Sequence, residues 1–250
     1  MRNLSAIVCL LVFSSHISAQ EIEDEAVQWL QDFIQVDTVN PPGNEYRAVD
    51  FYAKIFKAEG IAFESAESAP GRGNIWARLA GGDEPALILL QHTDVVPADL
   101  EYWTTEPLSG ELRDGYILGR GARDMKGTGI SHLAAFLSLH RSGRALNRDV
   151  VFVASADEEA GGEFGVGWLI ENRPEIFAGA GLLLNEGGAG ARARGSDRVV
   201  FGVEVTQKVP VWLRLTAVDV PGHGSSPRTT SSVTRIVDAL GIMRANPFPA

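Results

Sequence analysis

Residues 86–94 read Ala86-Leu87-Ile88-Leu89-Leu90-Gln91-His92-Thr93-Asp94, five apolar residues running straight into a polar tip. A short unbroken apolar run suits a strand buried on both faces, as in a sheet covered by helices. Ligand sites in open α/β sheets form where such strands end. Residues at i and i+2 of an extended segment point to the same side, so His92 and Asp94 can face one site. There the imidazole can ligate a metal, with the carboxylate orienting it or sitting beside it. By itself, His-x-Asp is equally met by a solvated turn at a strand end, so the flanking chain must decide.

Before this stretch, residues 21–34 carry Val27, Trp29, Leu30, Phe33 and Ile34 at helical spacing. The turn Asn40-Pro41-Pro42-Gly43-Asn44 ends that unit, and residues 45–59 form a second predicted helix stopped by Gly60. Residues 61–64 and 74–79 are short strand candidates. After Asp94, residues 110–118 read as a hairpin with Asp114-Gly115 at its tip. The Gly-rich turn 119–127 opens a helix over 128–142. Two more apolar runs follow: 150–154, ending in Asp157-Glu158-Glu159, and 180–184, ending in Asn185-Glu186-Gly187-Gly188; a helix over 166–171 lies between them. Strands alternating with helices predict an α/β fold, a mainly parallel sheet with helices on both faces. From about Val199 the pattern changes to two alternating strands, 199–205 and 211–217, and a helix over 232–244. This reads as the start of a smaller α+β domain, too small to close a core alone. The expected division is a signal segment over 1–19, a catalytic domain over 20–205 and the beginning of a second domain over 206–250. The sequence stops at Ala250 in a Pro-rich turn, which reads as a truncated chain.

The 250 residues, 45% hydrophobic and 22% charged, describe an ordinary globular protein. A net charge of −10 argues against a nucleic-acid partner, which needs a basic footprint. Arg2, the apolar stretch from Leu4 to Phe13 and the small-residue exit at Ser18-Ala19 fit a secretory signal peptide cut after Ala19; a buried N-terminal helix is the other reading. The expected location is therefore secreted or periplasmic. The apolar run is too short for a membrane span. Cys9, the one cysteine, lies inside this segment, so any metal must be held by His and carboxylates.

Three apolar runs thus end in His92 and Asp94, in Glu158 and Glu159, and in Glu186, while Asp124 sits in the Gly-rich turn. Unpaired carboxylates gathered in one place repel each other and raise their own pKa values. A divalent cation removes that cost. One ion can use three or four of these groups; five or more invite two ions about 3.5–4 Å apart, bridged by a shared carboxylate. Imidazole and carboxylate donors without thiolate suit zinc, with Mn²⁺ or Co²⁺ as substitutes. In a loop, adjacent glutamates can point apart, one to the metal and the other free to act as a base worth about 10²–10⁴-fold. For residues 157–159 alone, a solvated acidic loop remains the alternative.

The motifs at 91–97, 119–127, 157–159, 185–188 and 221–225 (Pro221-Gly222-His223-Gly224-Ser225) resemble, in order, those of a di-zinc metallopeptidase family. This is the family of aminoacylase, carboxypeptidase G, carboxypeptidase S, acetylornithine deacetylase and succinyl-diaminopimelate desuccinylase. The resemblance runs from about Gln28 to the end and implies a zinc-exopeptidase-like fold. It implies two Zn²⁺ ions, with His92 and Glu186 on one, Glu159 on the other and Asp124 bridging. Glu158 would be the general base, and Asp94 would support His92. His223 would sit on a lid domain that also forms a homodimer, there contacting substrate or stabilising the oxyanion, in the partner subunit's site. The substrate would be a small peptide or N-acyl amino acid, cleaved at an amide bond. The family's last His ligand to the second zinc follows the lid, and no histidine follows His223 here; His132 and His140 read as packed or surface helix residues. Two readings result: a zinc-dependent exopeptidase or amidohydrolase, or an inactive relative that keeps the fold to bind metal or dimerise. A serine hydrolase lacks support, since no Gly-x-Ser-x-Gly elbow occurs.

Overall fold

The computed structural model describes residues 19–188, 190–206, 213–226 and 228–247. Apart from Ala19, the expected signal segment lies outside the described residues. The chain divides into two compact units, one ending at Gly187 and one beginning at Gly188.

The first unit opens with α1 (Ala19–Gln35) and α2 (Tyr46–Glu59). Gly60 ends α2 in the left-handed region (φ 68°), where its N–H reaches back to the carbonyls of Phe56 and Lys57. Strands β1 (Phe63–Glu67), β2 (Gly73–Leu79) and β3 (Glu84–His92) follow. The hairpin β4 (Glu111–Arg113) to β5 (Tyr116–Leu118) turns at Asp114 and Gly115, both at positive φ, as its two-residue tip requires. Helix α3 (Lys126–Ser142), β6 (Arg148–Ser155), the short α4 (Trp168–Asn172) and β7 (Ala180–Leu184) complete the unit.

The main sheet has the order β1-β2-β6-β3-β7. Its β6-β3-β7 half is parallel, and β1 and β2 join antiparallel, so the sheet is mixed. The two faces divide by alternation, which is why the core is built from every second residue of each strand. Val150, Phe152 and Ala154 of β6 pack with Phe33 of α1, Tyr52 and Phe56 of α2, and Leu133, Phe136 and Leu137 of α3. Val151 and Val153 turn the other way, against Leu169 and Ile176, with Trp76 and Ile88 beside them. Helical segments therefore cover both faces. Strand β7 differs from the expectation of a buried run. It is the sheet's edge, and Leu182, Leu183 and Leu184 are half-exposed.

The second unit holds β8 (Gly190–Arg192) paired with β9 (Val199–Phe201), and helix α5 (Ser232–Ala245), whose start is fixed by a Ser231–Thr234 capping box. The strand expected over 199–205 is only three residues long, because its pairing with β8 stops at Phe201. Residues 211 and 212 lie outside the described residues, and 213–217 form no strand. Alternating hydrophobicity needs a pairing partner before it becomes a strand, and none is present for 213–217 among the described residues. No described helix is long and apolar enough to cross a membrane.

Candidate metal centre

Parallel pairing brings the carboxyl ends of β3, β6 and β7 together, with His92 opposite Ser155 in register. His92 is 3% exposed. Its Nδ1 faces Asp94, 3.0 Å from the backbone oxygen and 3.3 Å from Oδ1. Two acceptors there make Nδ1 the protonated nitrogen of the neutral ring and leave the Nε2 lone pair for a ligand. Nε2 looks out at carboxylates: Asp124 Oδ1 at 3.1 Å, Glu186 Oε2 at 3.7 Å and Glu158 Oε2 at 3.9 Å. Ligand atoms of His92, Asp124 and Glu186 all lie within 4.8 Å of one another. The donor set, one imidazole and carboxylates with no thiolate, fits zinc or a neighbouring first-row divalent ion.

The turn after β6 places the two glutamates. Asp157 adopts φ 67°, which Asp tolerates better than most residues, and the chain then enters a single 3₁₀ turn, Glu158–Ala160. That geometry aims the backbone N–H groups of Glu158 and Glu159 at Asp94, at 3.1 Å to Oδ1 and 3.1 Å to Oδ2. The fully buried Asp94 carboxylate thus accepts from both peptides of the turn while it abuts the imidazole.

Charge in the site is unbalanced. Burial opposes a charged His92, yet contacts with Asp94 and Glu186 outweigh it and lift its pKa to about 11. For Asp94 too, burial is outweighed by His92 and Asn40, and its pKa falls. Contact with His92 lowers Glu186. Glu159 goes the other way, pushed up to about 7 by burial and then by the charge of Asp124. Burial also raises Glu158, with His92 opposing and Glu186, Asp94 and Asp124 adding to the rise. The arrangement attracts cations and, when only protons are available, holds them on His92 and Glu159.

The sequence-expected residues His92, Asp94, Asp124, Glu158 and Glu186 are brought together at one point. Glu159 joins them through its backbone bond to Asp94 and through the field of Asp124. His223 belongs to the second unit, where its Nδ1 lies 2.8 Å from Ser225 Oγ. His140 bonds the Glu59 carbonyl, a packed helix position as expected, and burial lowers the pKa of His132. Lys126, two residues after Asp124 at the start of α3, is turned inward. Its Nζ donates to the carbonyls of Phe33 (2.9 Å) and Val36 (2.7 Å) beneath the end of α1, and burial lowers its pKa to about 7. Three residues behind the site carry no signal in a motif search, Asn40, Glu45 and Arg72; Asp157, which belongs to the 157–159 motif, turns its side chain back toward them. Asn40 donates to Asp94 Oδ2 at 2.8 Å.

Comparison with known proteins agrees with this geometry. Residues 88–242 match the model of Peptidase family M20/M25/M40. Aminoacylase-1 of Sus scrofa is 35% identical over 211 residues, covering 82% of this chain and 50% of that protein. The N-fatty-acyl-amino acid synthase/hydrolase PM20D1 of Xenopus tropicalis is 31% identical over 242 residues, 92% of this chain and 47% of its own length. The crystal structure of human carnosine dipeptidase 1 superposes with a TM-score of 0.55 at 26% identity, covering 67% of this chain and 40% of that one. The chain spans about half the length of the curated relatives it matches. On the strength of the family match over 88–242, the chain belongs to peptidase family M20/M25/M40.

Proposed function

We propose that this chain carries the metal centre of a hydrolase that cleaves the amide bond of a small peptide or N-acyl amino acid. The observation that carries the reading is the outward Nε2 of His92, facing Asp124, Glu186 and Glu158 within 3.9 Å. In this reading His92, Asp124 and Glu186 hold one zinc ion, and Asp124 and Glu159 offer two carboxylates to a second. A bound divalent ion supplies Lewis acidity, which lowers the pKa of a water toward about 7. Glu158 is the base. Its carboxylate is half-exposed, and burial raises its pKa above the ordinary carboxylate value, which makes it a stronger base for taking a proton and returning it to the leaving amine. Asp94 keeps His92 in one tautomer and holds the Glu158–Glu159 turn against it.

Relatives named as aminoacylases and a dipeptidase support the substrate class. By the same resemblance, the second unit begins a lid through which two copies pair, with His223 reaching substrate in the partner's site. The N-terminal segment directs the protein to secretion or the periplasm. The test is hydrolysis of N-acyl amino acids and dipeptides before and after dialysis against a chelator, with zinc added back. Activity lost on chelation and restored by zinc is expected; hydrolysis indifferent to chelation would sink the mechanism.

A further inference from the structure

Behind the metal centre, three carboxylates are buried together: Glu45 and Asp94 at 0% exposure and Asp157 at 3%. Buried carboxylates need a cation or several donors. Asp94 has the imidazole of His92. For Glu45 and Asp157, Arg72 is the one Lys or Arg partner among the described residues. Its Nη1 lies 2.6 Å from Glu45 Oε1 and its Nη2 3.3 Å from Asp157 Oδ1. The same Nη2 donates to Asn40 Oδ1 at 3.0 Å. That contact fixes which way the Asn40 amide points: its oxygen is taken by Arg72, so its nitrogen faces Asp94 Oδ2 (2.8 Å) and Asp157 Oδ1 (3.3 Å). Glu45 Oε1, held by Arg72, accepts the N–H of Asp157 (3.2 Å), and the far oxygen of Asp157 accepts the N–H of Phe164 (3.0 Å). The Phe164 ring lies under the guanidinium, 5.7 Å away.

Every group that Arg72 binds therefore reaches either Asp94 or the turn that presents Glu158 and Glu159. We infer that Arg72 is a positioning residue for the metal centre, acting through Asn40 on Asp94 and through Glu45 and Asp157 on the Glu158–Glu159 turn. The inference rests on the reading that His92, Asp124 and Glu186 bind a metal ion. A guanidinium can meet three acceptors at once in a fixed plane, whereas an ammonium of equal charge is a single point. Arg72→Lys should keep the fold and the charge but lose the fork. Asn40→Ser cuts the same chain one link nearer the site without removing a charge.

The experiment is competition of the metal-free chain for Zn²⁺ against a chromophoric chelator, together with the visible absorption of the Co²⁺ form and thermal melting. Loss of partners outside the ligand shell costs about 10–100-fold in metal affinity. Arg72→Lys and Asn40→Ser are each expected to bind Zn²⁺ about 10-fold more weakly and to shift the Co²⁺ bands. Arg141→Met, which removes an arginine cluster at the other end of α3, should melt earlier yet bind Zn²⁺ like the parent. Folded Arg72→Lys and Asn40→Ser proteins with parental Zn²⁺ affinity and Co²⁺ spectrum would overturn the inference and leave Arg72 a purely structural residue. A parent chain that binds no Zn²⁺ would overturn the metal reading itself, and this inference with it.

Discussion

Two charged clusters sit at opposite ends of the same core, and they are built on opposite rules. At the carboxyl end of α3, Arg141 bridges Glu25 of α1 and Glu59 of α2, lying over the Trp29 ring. Both of its acids touch the same guanidinium, and contact with Arg141 lowers the pKa of Glu59. Around the ends of β3, β6 and β7, one imidazole faces four carboxylates with a fifth, Glu159, close by, and burial with mutual repulsion raises Glu158 and Glu159. The first cluster ties three helices together and asks for nothing more. The second has more carboxylates than its one imidazole can balance, an excess that an added cation would offset. Acids that touch a cation shift down in both clusters, Glu59 in the first and Asp94 and Glu186 in the second; the acids left over, Glu158 and Glu159, shift up, and they distinguish a site that selects a ligand from a structural ion pair.

That contrast can be broken most sharply at Glu158. Glu158→Gln removes the proposed base and leaves His92, Asp124 and Glu186 in place, so turnover should fall by about 10²–10⁴-fold while bound zinc, measured by elemental analysis, stays at the parental level. Loss of zinc along with activity would instead make Glu158 a ligand.

The pH dependence sharpens the same contrast. His92, normally near 6.5, is lifted to about 11, and Glu159, normally near 4.5, to about 7. The metal-free fold therefore holds protons that the unfolded chain releases, from about pH 4.5 to 7 on Glu159 and from about 6.5 to 11 on His92. Stability falls with rising pH wherever the folded state binds more protons. The metal-free protein should accordingly melt at lower temperature as pH rises from about 4.5 to 7; above that, buried Lys126, lowered from 10.5 to about 7, has released a proton that the unfolded chain keeps and opposes the effect of His92. Zinc takes the place of the protons on Glu159 and His92, so its affinity should rise over both windows. At pH 7.5, titration calorimetry in buffers of different ionisation enthalpy should register proton release on zinc binding. Zinc binding with no proton release would contradict the charge balance described here.

The smallest effect is expected at the Arg141 cluster. Arg141→Met should cost about 1–2 kcal/mol of stability, read by denaturant unfolding, and leave zinc affinity untouched. A change in zinc affinity would mean that the two ends of α3 are coupled.

Much of the site was legible in the sequence because most of its clustered side chains sit where apolar runs stop. His92 ends β3, Glu158 follows β6 and Glu186 follows β7, and strand ends in a parallel arrangement converge by topology alone. The hairpin at Asp114-Gly115 and the stop at Gly60 were legible because positive φ leaves a residue-type signature. What was hidden is tertiary. Arg72 and Glu45 lie on elements far from the motifs and show their role only once the fold stacks them behind Asp94. The place of Lys126 was hidden for the same reason: adjacency to Asp124 in sequence does not show that a helix start turns its side chain into the core. In the second unit the alternation over 213–217 exceeded what forms, since a strand is a pairing and not a property of one segment.

The most direct test is equilibrium dialysis of the metal-free chain against zinc, with His92→Ala beside it. Zinc retained by the parent and lost from the variant, both folded by circular dichroism, is the expected result. A parent that retains no zinc, or a variant that retains as much as the parent, would contradict the assignment of this strand-end cluster as a metal centre.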